Sequence, residues 1–302
     1  MNRNNTIYKR LTDTIQGQIL CDEPLADHCS YRIGGPADFY IYPSDMVDLK
    51  PLLNTIREIG IPRFVIGKGT NLLVSDTGFR GVVIDISRAF KRIVIDELRI
   101  TAGAGILLER VTQSAIQAGL AGMENLSGIP GSIGGAVTLN AGAFGAETKD
   151  ILRSVKVLDS NHKLKILARN DIEMGYRYTD LSQDLIILEA EFQMKSADSA
   201  KLNETRSDVL SRRAACQPLE FPSAGSVFKR PPGDYAGRLI EAAGLKGYRA
   251  GDAMISEKHA NFIINCSAAT ADDVYRIIHH VQDTVLKKFG VNLKTEIHFL
   301  GF

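Results

Sequence analysis

The chain has 302 residues, a length that predicts two or three domains rather than a single core. Its composition, 44% apolar and 24% charged, is that of an ordinary globular protein, and a net charge of +1 argues against a nucleic-acid-binding surface or a polybasic membrane patch. The N-terminal stretch MNRNNTIYKRL is polar and no run approaches a membrane span, so we expect a cytoplasmic protein.

The cysteines give no sign of a metal site or a redox dithiol. None of the four, Cys21, Cys29, Cys216 and Cys266, lies in a C-x-x-C pair. Zinc sites and redox dithiols use such closely spaced pairs. The sequence therefore predicts free thiols and no metal ion.

The first third mixes strand and helix patterns. The segment ADFYIYP (37–43) predicts a strand, and Ser44 or Asp45 then caps a helix that runs towards Gly60, with Pro51 inside the pattern. RFVIGKGTNLLVS and GVVIDIS predict two short strands around a glycine turn. Together these segments indicate an α/β unit.

The middle third is predicted to be mainly β. It opens with the strand pattern RIVIDELRITAGAGI, and a helix follows over 107–118 and ends at Gly119. SVKVLDSNHKLKILA predicts a hairpin with its turn at Ser160–Asn161, and DLIILEAEFQMK predicts another strand.

The last third is predicted to contain three helices, with a loop over 217–234 between the first two, and a closing strand. A polar helix is expected over 200–216, a short one over 235–243, and a longer one from Thr270 to Gly290. Thr270 and Asp273 predict a capping box at the start of the longer helix. Its predicted buried stripe is Val274, Ile277, Ile278, Val281 and Val285. The closing VNLKTEIHFLGF alternates like a strand with one apolar face, which by itself makes Glu296 a solvent-facing residue.

Basic side chains are concentrated between residues 211 and 250. This segment holds seven basic and three acidic residues, an excess of four positive charges in a chain whose net charge is +1. Two interpretations remain open: a solvated basic face, or a region that meets an anionic small molecule.

The most unusual stretch is SGIPGSIGGAVTLNAGAFG (127–145), which has six glycines and no charged residue. Glycine at this density costs conformational entropy on folding, so the backbone is expected to lie close to something that leaves no room for side chains. Standard nucleotide motifs are absent, because GKGTNL (67–72) and GAGILL (103–108) both lack the third glycine of the dinucleotide fingerprint. A pyrophosphate held by backbone N–H groups of several loops fits the pattern, and a set of tight β-turns is the alternative.

Eight segments follow one another in a specific order. They are YRIGGPAD, VIGKGTNLLVSDTGFRG, TAGAG, SGIPGSIGGAV, GYRYTDL, FPSAGSVFKRPPG, AGLKGYRAGDAMISEKHANFIIN and LKTEIHFLG. The ordered set resembles the UDP-N-acetylenolpyruvoylglucosamine reductase family, from about His28 to Phe302. The chain is compact between Lys195 and Arg213, so it resembles the shorter branch, which lacks a tyrosine-bearing insertion over the substrate.

The resemblance implies an α+β fold of three domains. Residues 1–84 and 85–197 would be two subdomains of a vanillyl-alcohol-oxidase-like FAD-binding unit, with the last strand (291–302) able to return to the first. Residues 198–290 would form an α/β substrate-binding domain.

The resemblance also implies an activity and its residues. NADPH would reduce FAD, and flavin N5 would deliver hydride to C3 of an enolpyruvyl ether, giving UDP-N-acetylmuramate for peptidoglycan. Arg177 would stabilise the charge that develops at the substrate carboxylate, Ser226 would protonate C2, and Glu296 would help orient and stabilise the intermediate.

Further positions are expected to bind the cofactor or the substrate. Tyr176, Lys229, Arg230 and Arg238 are expected to contact the substrate. The expected FAD contacts are Tyr31, Arg32, Gly67, Lys68, Gly69, Thr70, Asn71, Leu72, Gly128, Ile129, Pro130, Gly131, Ser132, Gly134, Gly135, Ala136, Asn140 and Gly142. A side chain at Gly131, Gly134 or Gly135 is expected to enter cofactor space.

Two other functions remain open. One is a different FAD oxidoreductase of the same flavin-binding class. A covalent-flavin oxidase usually has an attachment histidine or cysteine, and residues 127–145 contain neither, so non-covalent FAD is expected. The other is a non-enzymatic nucleotide-sugar-binding protein. We expect a small-molecule substrate, no nucleic-acid or membrane partner, and a monomer.

Overall fold

The computed structural model describes residues 3–182 and 184–302. The chain divides into two compact units, and the first consists of the described residues of Met1–Cys21, Asp38–Lys68 and Gly81–Arg212. The second consists of Asp22–Ala37, Gly69–Arg80 and Arg213–Phe302. Within the described ranges, no helix has the length and apolar character needed to cross a membrane.

Seven α-helices lie in the described residues. They are α1 (Arg3–Thr12), α2 (Met46–Ile59), α3 (Leu108–Gln117), α4 (Ile133–Thr138), α5 (Ser199–Cys216), α6 (Ala236–Ala242) and α7 (Ala271–Phe289).

Twenty strands, many of them short, account for the rest of the regular structure in the described residues. They are β1 (Gln18–Pro24), β2 (Pro36–Tyr42), β3 (Arg63–Ile66), β4 (Leu72–Val74), β5 (Phe79–Asp85), β6 (Ile93–Asp96), β7 (Arg99–Gly103), β8 (Leu120–Ala121), β9 (Gly142–Ala143), β10 (Ala146–Glu147), β11 (Leu152–Leu158), β12 (Leu164–Ala168), β13 (Met174–Gly175), β14 (Tyr178–Thr179), β15 (Ile186–Gln193), β16 (Lys195–Ser196), β17 (Arg249–Ala250), β18 (Ala253–Ile255), β19 (Ile263–Asn265) and β20 (His298–Leu300).

The first unit contains the predicted α/β segment. A four-stranded sheet runs in the order β1-β2-β5-β3, with β3 and β5 parallel. Helix α2 begins where predicted, because the Asp45 carboxylate accepts from Val47 N at 2.6 Å, and it ends at Gly60 with φ of +71°. The helix continues through Pro51 and buries a leucine and isoleucine stripe.

A five-stranded antiparallel sheet, ordered β12-β11-β15-β7-β6, forms the rest of the first unit's framework. The predicted hairpin is confirmed: β11 and β12 flank a turn in which Asp159 Oδ1 accepts from Asn161 N and Lys163 N, both at 2.9 Å. The predicted helix over 107–118 is confirmed as α3.

Two helices of the first unit have no counterpart in the predictions. In α1, Ile7 and Leu11 are buried one turn apart on an otherwise polar helix. Helix α4 lies inside the glycine-rich stretch, where two glycines lower helix propensity. A Ser132 cap and the burial of Ile133 and Val137 overcome that cost.

The second unit has its own apolar core around α7. The capping box between Thr270 and Asp273 is confirmed, as is the helix end at Gly290 with φ of +70°. The Asp76 carboxylate accepts from Ala271 N and Asp272 N at 2.8 and 3.1 Å, so an acidic side chain also stabilises the start of this helix. The predicted stripe is buried: Val274, Ile277, Ile278, Val281 and Val285.

The closing strand is shorter than predicted. Only His298–Leu300 form a strand, β20, which pairs in parallel with β4. The expected alternation holds as far as Ile297 and then reverses, because Phe299 is 37% exposed while Leu300 is 6% exposed. Pairing with β4 turns Leu300, rather than Phe299, towards the protein.

The predicted domain boundaries at 84/85, 197/198 and 290/291 stay a prediction. The two compact units divide the chain differently, because the second unit gathers segments from 22–37 and 69–80 as well as the C-terminal third. The strand β4, with which β20 pairs, lies within residues 1–84.

Candidate active site

The glycine-rich stretch of the first unit is held by an acidic side chain that the sequence analysis did not single out. Glu109 Oε2 accepts from Gly128 N at 2.8 Å, and Arg206 donates to Glu109 Oε1 at 2.5 Å. Although burial opposes ionisation, hydrogen bonds from Gly128 N and Arg206 hold the pKa of Glu109 below its ordinary value. An ionised Glu109 therefore fixes the start of the stretch, where Gly128 has φ of +72°.

Gly134 packs closely against another segment of the first unit. A Cβ atom at this position would lie 3.2 Å from Ala104 Cβ and 3.3 Å from Ala104 O. The Gly134 N–H also donates to Ala104 O at 2.9 Å. A side chain at this position would therefore press on Ala104 first, and its entry into cofactor space stays a prediction.

The neighbouring Gly135 is exposed and has room. A Cβ atom there would meet only Ser132 Oγ, at 3.6 Å. Gly67, at the end of β3, approaches the same serine closely, since a Cβ atom at 67 would lie 2.3 Å from Ser132 Oγ. Glycine at 67 thus allows the β3 loop and the glycine-rich stretch to meet at Ser132.

Asn140 is fully buried, and its side chain is committed to the protein. Its Nδ2 donates to Gly175 O at 2.8 Å and Glu147 Oε2 at 3.1 Å, and its Oδ1 accepts from Lys149 N at 2.9 Å. The side chain of this predicted cofactor residue therefore joins segments of the first unit.

Arg177 lies at a tight turn between β13 and β14. Gly175 pairs with Tyr178, so Tyr176 and Arg177 are the two turn residues, and Arg177 has φ of +51°. Its Nη2 donates to Gly142 O at 2.7 Å, and its guanidinium carbon lies 5.1 Å from the centre of the Tyr176 ring. The positive φ of Arg177 strains the backbone of the turn. The contacts with Gly142 O and the Tyr176 ring define where the guanidinium lies.

In the second unit, Ser226 and Glu296 are brought together on neighbouring segments. Glu296 N donates to Val227 O at 2.7 Å, next to Ser226. Ser226 forms a β-bridge with Phe262 on its other side. Both residues are half-buried, so Glu296 does not lie on a solvent face as simple alternation implies.

Asn261 fixes the backbone beside Ser226. Its Nδ2 donates to Phe228 O at 2.9 Å and its Oδ1 accepts from Phe228 N at 3.0 Å. The sequence analysis missed this residue, since no local pattern shows a contact across 33 positions.

Other predicted cofactor residues of the second unit are also tied to its own backbone. The Tyr31 hydroxyl donates to Ile263 O at 2.9 Å, and Tyr31 is fully buried. Asn71 Nδ2 donates to Glu296 O at 3.1 Å, and Asn71 O accepts from His298 N at 2.9 Å. Asn71 therefore supports the segment that carries Glu296.

The three predicted substrate-binding cations of the second unit all have contacts with the protein. Arg238 donates to both carboxylate oxygens of Asp234, from Nε at 2.6 Å and from Nη2. The Arg230 guanidinium carbon lies 4.4 Å from the centre of the Tyr235 ring. Lys229 is half-buried, and its backbone N–H donates to Lys294 O at 2.8 Å.

Comparison with known proteins places the chain in a family. Residues 217–300 match the UDP-N-acetylenolpyruvoylglucosamine reductase C-terminal domain, and residues 37–167 match an FAD binding domain. The UDP-N-acetylenolpyruvoylglucosamine reductase of Agathobacter rectalis is 43% identical, with 99% of each chain covered. That of Caldanaerobacter subterraneus is also 43% identical over 95% of each chain. The chain belongs to the UDP-N-acetylenolpyruvoylglucosamine reductase family.

A solved structure supports the same relationship. The UDP-N-acetylenolpyruvylglucosamine reductase of Thermus caldophilus is 34% identical, covers 95% of this chain and 99% of its own, and superposes with a TM-score of 0.80. The expected fold, an α+β chain with a vanillyl-alcohol-oxidase-like FAD-binding unit and a substrate-binding domain, is thereby confirmed.

Within this reductase fold, the predicted catalytic residues are distributed over both units. Arg177 belongs to the first unit, whereas Ser226 and Glu296 belong to the second, where a backbone hydrogen bond joins their segments. The remaining predicted cofactor positions are Arg32, Lys68, Gly69, Thr70, Leu72, Ile129, Pro130, Gly131, Ala136 and Gly142, and their role stays a prediction. Across the described residues, no group of three or more His, Cys, Asp or Glu residues could hold a metal ion.

Two features of the first unit of this reductase chain are compatible with a bound flavin nucleotide. The exposed face at Gly135 leaves this part of the glycine-rich stretch accessible to a ligand. The stretch also contains no histidine or cysteine to which a flavin could be attached. Helix α4, by contrast, uses its first amides internally, because Ile133 N and Gly134 N donate to protein carbonyls.

Proposed function

We propose that this chain catalyses the NADPH-dependent, FAD-mediated reduction of UDP-N-acetylglucosamine enolpyruvate to UDP-N-acetylmuramate, in peptidoglycan synthesis. The observation that supports this most is 43% identity, over 99% of both chains, with a UDP-N-acetylenolpyruvoylglucosamine reductase. The FAD-binding-domain match over residues 37–167 supports the cofactor.

Bound FAD, held non-covalently, would accept hydride from NADPH and supply hydride to C3 of the enolpyruvyl group. The chain's own residues bind, orient and protonate. Arg177 binds the substrate carboxylate, whose negative charge grows as hydride arrives, and a guanidinium suits this role because it stays charged and can bind both oxygens.

Ser226 supplies the proton to C2, and Glu296 helps orient and stabilise the reacting group. Ser226 lies in the segment that Asn261 holds through the Phe228 backbone. Glu296 enters the same region on a segment bonded to Val227 and Asn71. Both groups are thus held by fixed backbone, which proton transfer in a defined geometry requires.

The remaining assignments belong to the same proposal. The enzyme acts in the cytoplasm as a monomer on a small-molecule substrate, with no nucleic-acid or membrane partner. Size-exclusion chromatography with light scattering should give a mass near 33 kDa, the mass of one chain. A mass near twice that value would overturn the monomer.

Anaerobic stopped-flow absorbance of the FAD-loaded protein tests the function. NADPH should bleach the flavin, and UDP-N-acetylglucosamine enolpyruvate should then restore its absorbance. Bleaching without recovery would favour another FAD oxidoreductase of this class. Failure to bind FAD would favour a non-enzymatic nucleotide-sugar-binding protein.

Acid precipitation of the FAD-loaded protein tests how the flavin is held. It should release the flavin into the supernatant, and flavin in the pellet would contradict non-covalent binding.

A further inference from the structure

Two segments of the first unit are joined by side-chain hydrogen bonds at alternate residues. Thr179 Oγ1 donates to Thr138 O at 2.9 Å, and Asn140 Nδ2 donates to Gly175 O at 2.8 Å. Arg177 Nη2 donates to Gly142 O at 2.7 Å. We call these three links the 138–142/175–179 ladder. It runs from the end of α4 to the turn that carries Arg177.

Asn140, at the centre of the ladder, contributes through its backbone as well as its side chain. It follows the last residues of α4 with φ of +42°, and its N–H donates to Val137 O at 3.1 Å. The next N–H, of Ala141, donates to Ala136 O at 2.8 Å. These two bonds end a helix in the Schellman arrangement, in which glycine or asparagine takes the left-handed residue.

Glycine would satisfy this helix end equally well, so the backbone alone does not require asparagine. What asparagine adds is the buried amide. It links the end of α4 to Gly175, Glu147 and Lys149 through bonds of 2.8–3.1 Å. Gly175 begins the two-residue turn of Tyr176 and Arg177.

We propose that Asn140 is a positioning residue that sets where the Arg177 guanidinium lies. The inference rests on the proposed function, in which Arg177 binds the substrate carboxylate. Asn140 holds the first residue of the turn, and Arg177 itself holds Gly142 two residues beyond Asn140. The two bonds run in opposite directions between the same segments, so loosening one loosens the other.

The variant Asn140→Gly removes the amide while keeping a residue that adopts positive φ freely. The FAD-loaded variant should be reduced by NADPH at a rate close to that of the wild type. Its reoxidation by UDP-N-acetylglucosamine enolpyruvate should slow by about 10- to 100-fold, the loss typical of a small misplacement of a binding group. Binding of this substrate to the oxidised, non-turning-over enzyme, followed by the flavin spectrum, should weaken as well.

A control for the change of backbone freedom is Glu97→Gly, which also replaces a non-glycine residue with positive φ, here +48°, but at an exposed position. Glu97 lies in the turn between β6 and β7 and is not part of the ladder. Both half-reactions and substrate binding should be unchanged in this variant.

A second variant, Asn140→Asp, serves if Asn140→Gly does not fold. It keeps the size of the side chain and the acceptor for Lys149 N, but it loses the donor to Gly175 O. It should show the same selective loss of reoxidation and substrate binding.

A double-mutant cycle shows whether Asn140 acts through Arg177. In the Arg177→Ala background, Asn140→Gly should change reoxidation and substrate binding by less than about 2-fold, because the group that it positions is gone. Equal multiplicative losses in both backgrounds would overturn the proposal. Equal slowing of both half-reactions by Asn140→Gly, or wild-type reoxidation and substrate binding, would also overturn it. If the wild type itself showed no substrate-driven reoxidation, the proposed function would fail, and this inference with it.

Discussion

Asn261 bonds both backbone polar groups of Phe228, accepting from its N–H at 3.0 Å and donating to its C=O at 2.9 Å. Both residues are buried, at 7% and 2% exposure. The side chain therefore takes the place of a paired strand beside the segment that carries Ser226. In doing so it fixes that segment without a regular sheet.

Asn261→Ala leaves both backbone groups of Phe228 buried without this partner. We expect the free energy of unfolding to fall by about 2–6 kcal/mol, since each of the two unsatisfied groups costs about 1–3 kcal/mol. Urea unfolding followed by far-UV circular dichroism measures this, because the chain has no tryptophan. Asn203→Ala, at an exposed position on α5, is the control and should change stability by less than about 0.5 kcal/mol. Equal effects from the two variants would contradict the role of Asn261.

Gly134 and Gly135 are adjacent but should respond differently to valine. Gly134→Val forces a side chain against Ala104, so the apo-protein should lose about 1–3 kcal/mol of stability, a typical cost of overpacking. Gly135→Val places its side chain on the exposed side of α4 and should leave apo-protein stability nearly unchanged while reducing FAD content. Urea midpoints of the apo-proteins and the flavin-to-protein absorbance ratio separate the two effects. Full stability of apo Gly134→Val would show that Ala104 yields to the side chain.

Local signals in the sequence predicted five of the seven helices of the described residues, but they predicted the contacts between distant segments poorly. Thr270, Asp273 and Gly290 mark α7 because caps act within one turn of the helix. Helix α4 was missed because its glycines oppose a helix that burial stabilises.

The candidate site shows the same limit. Segment order was enough to indicate Arg177, Ser226 and Glu296, but the pairings that hold their segments join residues far apart in sequence. Asn140 illustrates this, because its type and place in a glycine-rich stretch suggested a cofactor contact. Only the folded chain shows its amide bonded to Gly175 and Lys149. Sequence pattern carries no signal for which side of a loop a side chain faces.

The basic residues of 211–250 should not contribute equally to substrate binding. Arg238 is already paired with Asp234. Hydrogen bonds from the Arg238 side chain and the Tyr235 backbone lower the pKa of Asp234 to about 2. Arg238→Ala should therefore change the substrate's KM by less than about 2-fold, as expected for an exposed ion pair. Lys229→Ala should raise KM by about 10- to 100-fold, the equivalent of one charged hydrogen bond.

Steady-state kinetics at low and high salt test this difference. The matched control is Asp234→Ala, which releases Arg238 from its pair and should leave KM unchanged or lower it. Unchanged KM for Lys229→Ala would favour the solvated basic face, and a large rise in KM for Arg238→Ala would show that the ion pair opens to bind substrate.

Ser226→Ala should separate the two half-reactions. Reduction of FAD by NADPH is a hydride transfer that needs no proton delivered to carbon, so flavin bleaching should survive. Reoxidation needs a proton at C2 of the enolpyruvyl group, which we assign to the Ser226 hydroxyl, and it should slow by about 10²–10⁴-fold. Ser226→Cys should recover part of the rate, because a thiol also donates a proton.

The position of Ser226 makes this test selective. Ser226 is half-buried and bridges Phe262 through its backbone, and Glu296 N bonds the carbonyl of the adjacent Val227. Replacing a hydroxyl by hydrogen leaves these backbone contacts in place, so fold and FAD content should not change. Stopped-flow absorbance of the separate steps is the measurement, with FAD content as the control. Equal slowing of reduction and reoxidation would make Ser226 a structural or cofactor-positioning residue, and the proton donor would then have to be another group.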